Sequence, residues 1–256
     1  MKYYLTLILL LGSLLQSCVL MQTRTPKLTE EEKLYQQFMT AFQSRSYDSA
    51  ITAGKQFLEQ YPKSAREDEV MIRLGEAFQG LLEQNYREAI NEGMDETASR
   101  TAFLEKYGHY GCWQTRDGSL VYNNEMFQQL LKEKPLSPYA DEAAYNLIAW
   151  EKDYHGDPSR IEGEIKALEN VITLYPGTSL RAKILYQMGY RFHRLYELYR
   201  FSSDPAVRNE AKAEQSRSRA EYLYKLCIST PQGSRYSNKA FENLEMLKHD
   251  KRLSMD

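Results

Sequence analysis

The sequence is short of the residues that chemistry usually needs. It has four histidines and three cysteines in 256 residues. No two histidines share a metal-ligand spacing, and neither H-E-x-x-H nor C-x-x-C occurs. No glycine-rich phosphate loop and no G-x-S-x-G elbow is present. His109 stands three residues from Cys112, but no orienting third group or oxyanion donor pair accompanies it. Carboxylates are many but scattered, so no glycosidase-type pair stands out. The expectation is a protein that is not an enzyme, with no cofactor and no metal. Charge of one sign is lacking too: 33 basic and 35 acidic residues are mixed along the chain. No basic block exists to bind a nucleic acid. No apolar run reaches the roughly 20 residues that a membrane-spanning helix needs. Glycine (13) and proline (8) are scarce, and period-two alternation is nearly absent. An all-β architecture is thereby excluded.

What is present begins at the amino end. Lys2 precedes a short apolar stretch, Tyr3 to Leu15, followed by Gln16, Ser17 and Cys18. A positive start, a short apolar core and a small residue before the break describe a secretion signal. Leu15-Gln16-Ser17-Cys18 resembles the bacterial lipobox, which implies cleavage after residue 17 and acylation of Cys18. Residues 1–17 are then a lipoprotein signal peptide, and 18–28 a lipidated tether. Val19 after the cysteine points to the outer membrane, facing the periplasm. The other cysteines, Cys112 and Cys227, are expected to stay free.

From Thr29 onward the pattern is helical, over 29–250. Thr29 and Glu32 form a capping-box pair. Internal repetition carries the most information. Tyr-Pro occurs at 61–62 and 175–176, and a glycine lies thirteen residues past each proline, at Gly75 and Gly189. Weaker copies surround Pro135 and Pro231. Ten residues past each proline stand Ile72, Tyr145, Tyr186 and Phe241. Each unit reads as a helix stopped by proline, a polar turn with Ser64, Ser137 or Thr178 as N-cap, and a returning helix. The glycines predict close approach by a neighbouring backbone. Asn85 and Glu88 predict a further helix start. Asp204-Pro205 predicts a long helix over 205–229, and its stretch 209–221 is polar nearly all round.

One segment, 107–125, breaks the pattern. Asp117-Gly118 is a hairpin-turn signal between "CWQT" and "SLVY". It is either a binding loop or a plug, with Tyr110 and Trp113 as the plugging rings. A second aromatic run, 186–201, places Tyr186, Tyr190 and Tyr199 near one stripe and Phe192, Leu195 and Tyr196 near another, with Arg191 and Arg194 interleaved. One stripe must be core. The other is expected to line a concave groove, with Tyr110, Trp113, Tyr186, Tyr190, Arg191 and Arg194 as candidate partner contacts.

These helix–turn–helix units resemble tetratricopeptide repeats. That implies an all-α fold, a right-handed superhelix (α-solenoid) of degenerate repeats. With Cys18, the helix starting Tyr47-Asp48-Ser49-Ala50-Ile51 and the Tyr61-Pro62 turn, the chain resembles the outer-membrane protein assembly factor BamD family. The resemblance covers 18–78 and, more thinly, 130–248. It implies a lipid-anchored scaffold in β-barrel outer-membrane protein assembly, whose partners are envelope proteins or peptides. The rival expectation is a lipid-anchored protein that captures a glycan or peptide through an aromatic groove. An exposed Trp113 beside a cleft favours the rival; a buried one favours the scaffold.

Overall fold

A computed structural model describes residues 28–91, 93, 95–116, 118–150, 154–230 and 234–253. The signal segment, Cys18 and the tether as far as Lys27 lie outside the described residues, as do Asp117 and Pro231. The described residues form a mostly helical protein with ten α-helices and one hairpin. In chain order these are α1 (Glu30–Gln43), α2 (Tyr47–Gln60), α3 (Glu67–Asn91), α4 (Glu96–Tyr107), β1 (Cys112–Gln114), β2 (Leu120–Tyr122), α5 (Glu125–Glu133), α6 (Ala140–Asn146), α7 (Pro158–Leu174), α8 (Arg181–Phe201), α9 (Glu210–Ile228) and α10 (Ser234–Lys248). Successive helices pack on one another, except that α3 reaches past α4 and the hairpin to α5.

Local chemistry explains most boundaries. Thr29 caps α1, accepting from the Glu32 amide at 3.1 Å. Glu32 does not return the bond; its carboxylate pairs with Arg66 at 3.0 Å. Three turns share one geometry. α2, α5 and α7 stop at Tyr61, Lys134 and Tyr175, all with φ between −125 and −136°. Each of these amides still donates back to the helix at 2.8–2.9 Å, and proline follows. Three residues later Ser64, Ser137 and Thr178 donate their amides to those same residues' carbonyls at 3.0 Å. Their hydroxyls accept from the amide two residues on, at 3.0–3.2 Å. They are therefore Ser/Thr turns rather than N-caps, and the helices begin at 67, 140 and 181. The hydroxyl satisfies the amide two residues ahead before helical geometry starts.

Each of these hydroxyls also fastens the turn to the second residue of an earlier helix. Ser64 donates to Glu31 at 2.5 Å, Ser137 bonds to Asp68, and Thr178 donates to Asp141 at 2.6 Å. A ladder of hydroxyl–carboxylate bonds thus runs along one edge of the molecule. It continues at the end of α9, where the Cys227 thiol meets the Ala182 carbonyl at 3.3 Å.

Two larger cores sit either side of a small one. The first gathers α1–α4 and the hairpin around Phe38, Phe57 and Phe78. The second gathers α6–α10 around Ile161, Leu168 and Tyr224. Between them Met71, Ile72, Phe127, Leu130 and Ala143 form a joint.

The two repeat glycines do equivalent work, though not through backbone approach. A methyl added at Gly75 would collide with the Phe127 ring; at Gly189 it would meet the Tyr224 ring at 2.8 Å. Each glycine receives an aromatic ring from a later helix, α5 for Gly75 and α9 for Gly189. Alanine ordinarily stabilises an exposed helix by about 1 kcal/mol over glycine. Here Gly75→Ala and Gly189→Ala are expected to destabilise by about 1–3 kcal/mol through overpacking. A urea midpoint that rises in either variant would show that the ring has room to move.

Four expectations change. α3 runs unbroken through Asn85, so no helix starts there; the next begins at Glu96, capped by Asp95. Asp204 forms a tight turn, accepting from the Ala206 amide at 2.8 Å, and residues 205–207 are not helical. Asn209 is the N-cap of α9, accepting from Lys212 at 3.0 Å. The stretch 209–221 is not solvated all round: Ala213, Ser216 and Ala220 are buried against α8. Small side chains form that contact face, which a scan for bulky apolar residues passes over. In the fourth repeat Phe241 is exposed, and Ala240 takes the buried place. In the same copy Cys227 is buried and Leu226 only partly so, the reverse of Phe57–Leu58, Leu130–Leu131 and Val171–Ile172.

Candidate functional site

The hairpin is the first candidate. β1 and β2 pair antiparallel with Cys112 opposite Tyr122 and Trp113 opposite Val121. The pleat turns Cys112 and Tyr122 inward, and Tyr122 stacks on Phe78 at 4.6 Å. Tyr110 packs on Phe78 at 5.8 Å under the Lys55 ammonium, 4.4 Å from its ring. The rings of this segment that pack on the core are thus Tyr110 and Tyr122. Trp113, on the opposite face, is 47% exposed. Burial pushes the Cys112 thiol up to about 11, so it stays protonated at neutral pH and is a poor nucleophile. Cys112 and Cys227 are both free, each buried in a different core.

The face of α8 that carries Tyr186 and Tyr190 is the second candidate. Both rings are partly exposed, 6.4 Å apart, and Tyr236 of α10 lies 5.9 Å from Tyr186. The Lys239 ammonium lies 6.0 Å from the Tyr186 ring. Lys183, on the same face, lies 3.9 Å from the Tyr145 ring; burial lowers its pKa, against the pull of Glu76 and Glu142. Tyr199 does not belong here. Thirteen residues beyond Tyr186, it falls on the opposite side of the helix with Phe192 and Leu195.

Arg191 is not where a partner would meet it, whereas Arg194 stays partly exposed. Arg191 is 7% exposed; its Nε donates to Glu164 at 2.5 Å, and Glu164 is 3% exposed. The Tyr154 hydroxyl donates to the same carboxylate at 2.9 Å, and the guanidinium lies 4.5 Å from the Trp150 ring. Arg191 is an interior residue, stabilised by an acid 27 positions earlier. Arg194 is half-buried, paired with Glu197 at 2.9 Å beside the docked Leu253.

A third site was not anticipated. A groove of about 770 Å³ runs between α7 and α9 with α8 as its floor. Phe192, Leu195 and Tyr199 make the floor, Glu162 and Lys166 one wall, and Lys212, Arg219 and Tyr222 the other. Tyr199 donates to Glu162 at 2.9 Å; burial, then that carboxylate, pushes its hydroxyl up to about 12. Arg219 lies over both Phe192 and Tyr222, at 6.0 and 5.4 Å. A groove of this size, apolar below with tyrosine, arginine and lysine at its margins, has room for an aromatic or aliphatic group. Two signals foretell it: apolar residues at 192, 195 and 199, and small ones at 213, 216 and 220. Both are helical stripes, the second hidden by its size. No family model matches the chain, and no curated protein does. Trp113 does not line this groove, whereas Tyr222 does. Among the described residues no group of three or more His, Cys, Asp or Glu could hold a metal, and no helix is long and apolar enough to cross a membrane.

His193 lies behind the groove floor, fully buried. Its Nδ1 is 3.5 Å from the Tyr224 hydroxyl, and its Nε2 has no partner among the described residues. Burial, then the charges of Arg194 and Arg217, lowers its pKa to about 4. The unfolded chain takes up this proton near the usual 6.5. The fold therefore keeps its full stability above about pH 6.5 and loses it as pH falls toward 4. The loss from this group is about 3 kcal/mol. In His193→Gln, urea midpoints should decline less steeply between those pH values; an unchanged slope would show that the imidazole is not the group responsible.

Proposed function

We propose that this chain is a lipid-anchored scaffold that holds a polypeptide partner in the groove between α7 and α9, at the periplasmic face of a bacterial outer membrane. The observation that carries the reading is the groove itself: open, apolar-floored, and rimmed by Tyr222, Arg219 and Lys212. Tyrosine and arginine are among the side chains that contribute most where proteins meet. The three equivalent proline turns and the paired ring-on-glycine contacts support reading the fold as degenerate tetratricopeptide-like repeats in a right-handed superhelix. The lipobox at Cys18 supports the anchor, which would raise the groove's effective concentration near membrane-bound partners. Assembly of β-barrel outer-membrane proteins is the process that the resemblance of 18–78 suggests.

The exposure of Trp113 supports the second reading, capture of a glycan or peptide at the hairpin. A photo-reactive residue at position 222 of the full chain, activated in intact envelopes, separates the two. The scaffold reading expects a cross-linked envelope polypeptide that disappears in Arg219→Glu. No cross-link at 222, together with a soluble glycan retained in a Trp113-dependent way, overturns it.

A further inference from the structure

The ladder of turns has an outer side. Leu136, at the tip of the second turn, is 96% exposed, and Leu174, just before the third, is 70% exposed. Ile228, at the matching end of α9, and Leu28, before α1, are exposed as well. All four belong to one edge. Ser64 of the first turn bonds Glu31 at the start of α1, Ser137 bonds Asp68, Thr178 bonds Asp141, and Cys227 meets the start of α8. The start of α1 and the apolar tips therefore share a border.

We propose that this border rests on the lipid bilayer, with Leu136 and Leu174 inserted at the headgroup boundary. The surface rests on the anchor reading above. Leu28 lies ten positions after Cys18, and a chain of that length spans at most about 35 Å. An acylated Cys18 would thus keep the start of α1, the first rung of the ladder, within about 35 Å of the membrane. The turns suit the position. Their amides are bonded internally, and the carboxylates behind them are already engaged by Ser64, Ser137 and Thr178. Lys134 beside Leu136 is likewise engaged, with Glu67 and Asp68 at 2.7 and 2.6 Å. Leucines projecting from the turns suit insertion at the headgroup boundary.

The test uses the full chain, purified from bacterial membranes and reconstituted into phospholipid vesicles. A fluorophore is placed on Leu136→Cys, Leu174→Cys or Ser203→Cys; the two native thiols 112 and 227 are buried. Ser203 lies exposed between α8 and α9, away from the ladder. Nitroxide-labelled lipid should quench the probes at 136 and 174 about threefold more than the probe at 203, as for groups sunk about 5–10 Å into the interface. Equal quenching at all three sites overturns the proposal. So do probes at 136 and 174 that shift to the blue without quenching, which would mean a protein covers the edge. A chain that floats with vesicles but shows no quenching overturns the surface and leaves the anchor intact. A chain that does not float, with an unmodified Cys18 by mass spectrometry, overturns both.

Discussion

Glu164→Ala is expected to cost the fold about 3–5 kcal/mol, the range seen when one partner of a buried ion pair is removed. Both members lie inside: Glu164 in α7 and Arg191 in α8 are almost inaccessible. The carboxylate accepts from Arg191 Nε and from the Tyr154 hydroxyl. Its loss leaves a guanidinium that cannot be deprotonated, with Gln187 and the Trp150 face as its described contacts. The tyrosine hydroxyl loses its acceptor in the same step. Tyr154→Phe should cost only about 1 kcal/mol, the usual net value of one hydrogen bond. The pair can also be removed together. Glu164→Leu with Arg191→Met should recover most of the loss, because apolar replacements of buried pairs are often neutral or better. Urea midpoints decide the matter. A single variant that loses less than about 1 kcal/mol would mean that water reaches the pair.

Phe127→Ala is expected to cost about 3–5 kcal/mol and, in addition, to divide the unfolding transition. Phe127 is fully buried on Gly75, in the cluster that joins the two larger cores. Removing the ring opens a cavity that Gly75 cannot fill, since it has no side chain. The N-terminal and C-terminal cores would then be joined by Met71, Ile72, Leu130 and Ala143 and by polar pairs such as Arg73–Glu142 and Lys134–Asp68. The chain supplies its own reporters, with Trp113 on the hairpin of the first core and Trp150 against Tyr145 of the second. In the parent protein the emission of Trp113→Phe and of Trp150→Phe should follow one transition. In the Phe127→Ala background they should separate, because cooperativity travels through packed contacts. Coincident curves in that background would mean that the α3–α5–α6 joint is not what couples the halves.

The local chemistry of the chain was largely legible. The three described proline turns lie where Tyr61-Pro62, Pro135 and Tyr175-Pro176 predict them, and Thr29 caps the first helix. "CWQT" and "SLVY" form the short strands expected around the hairpin. These features depend on a few neighbouring residues whose φ, ψ or hydrogen bonding is restricted by their own covalent structure. Boundaries were misjudged where two local devices compete. Asp204-Pro205 has the chemistry of a helix start, yet Asn209 is the cap, because the Asp204 side chain is used on Ala206. Asn85-x-x-Glu88 has a cap spacing, yet α3 continues through Asn85.

Residue order alone decided that this chain makes helices, where most of them stop, and that Gly75 and Gly189 hold equivalent places. It did not decide which stripe of α8 faces in. Tyr186, Tyr190, Tyr199, Arg191 and Phe192 are all amphipathic or bulky enough to sit on either side. Glu164, distant in sequence, draws Arg191 into the interior. Tyr224, seated on Gly189, fixes the side that α9 covers, and the small residues 213, 216 and 220 let α9 come close. The groove exists because α7 and α9 flank α8 at that spacing. A helical period records which residues share a stripe, whereas the neighbour that covers the stripe is set by packing across the whole fold.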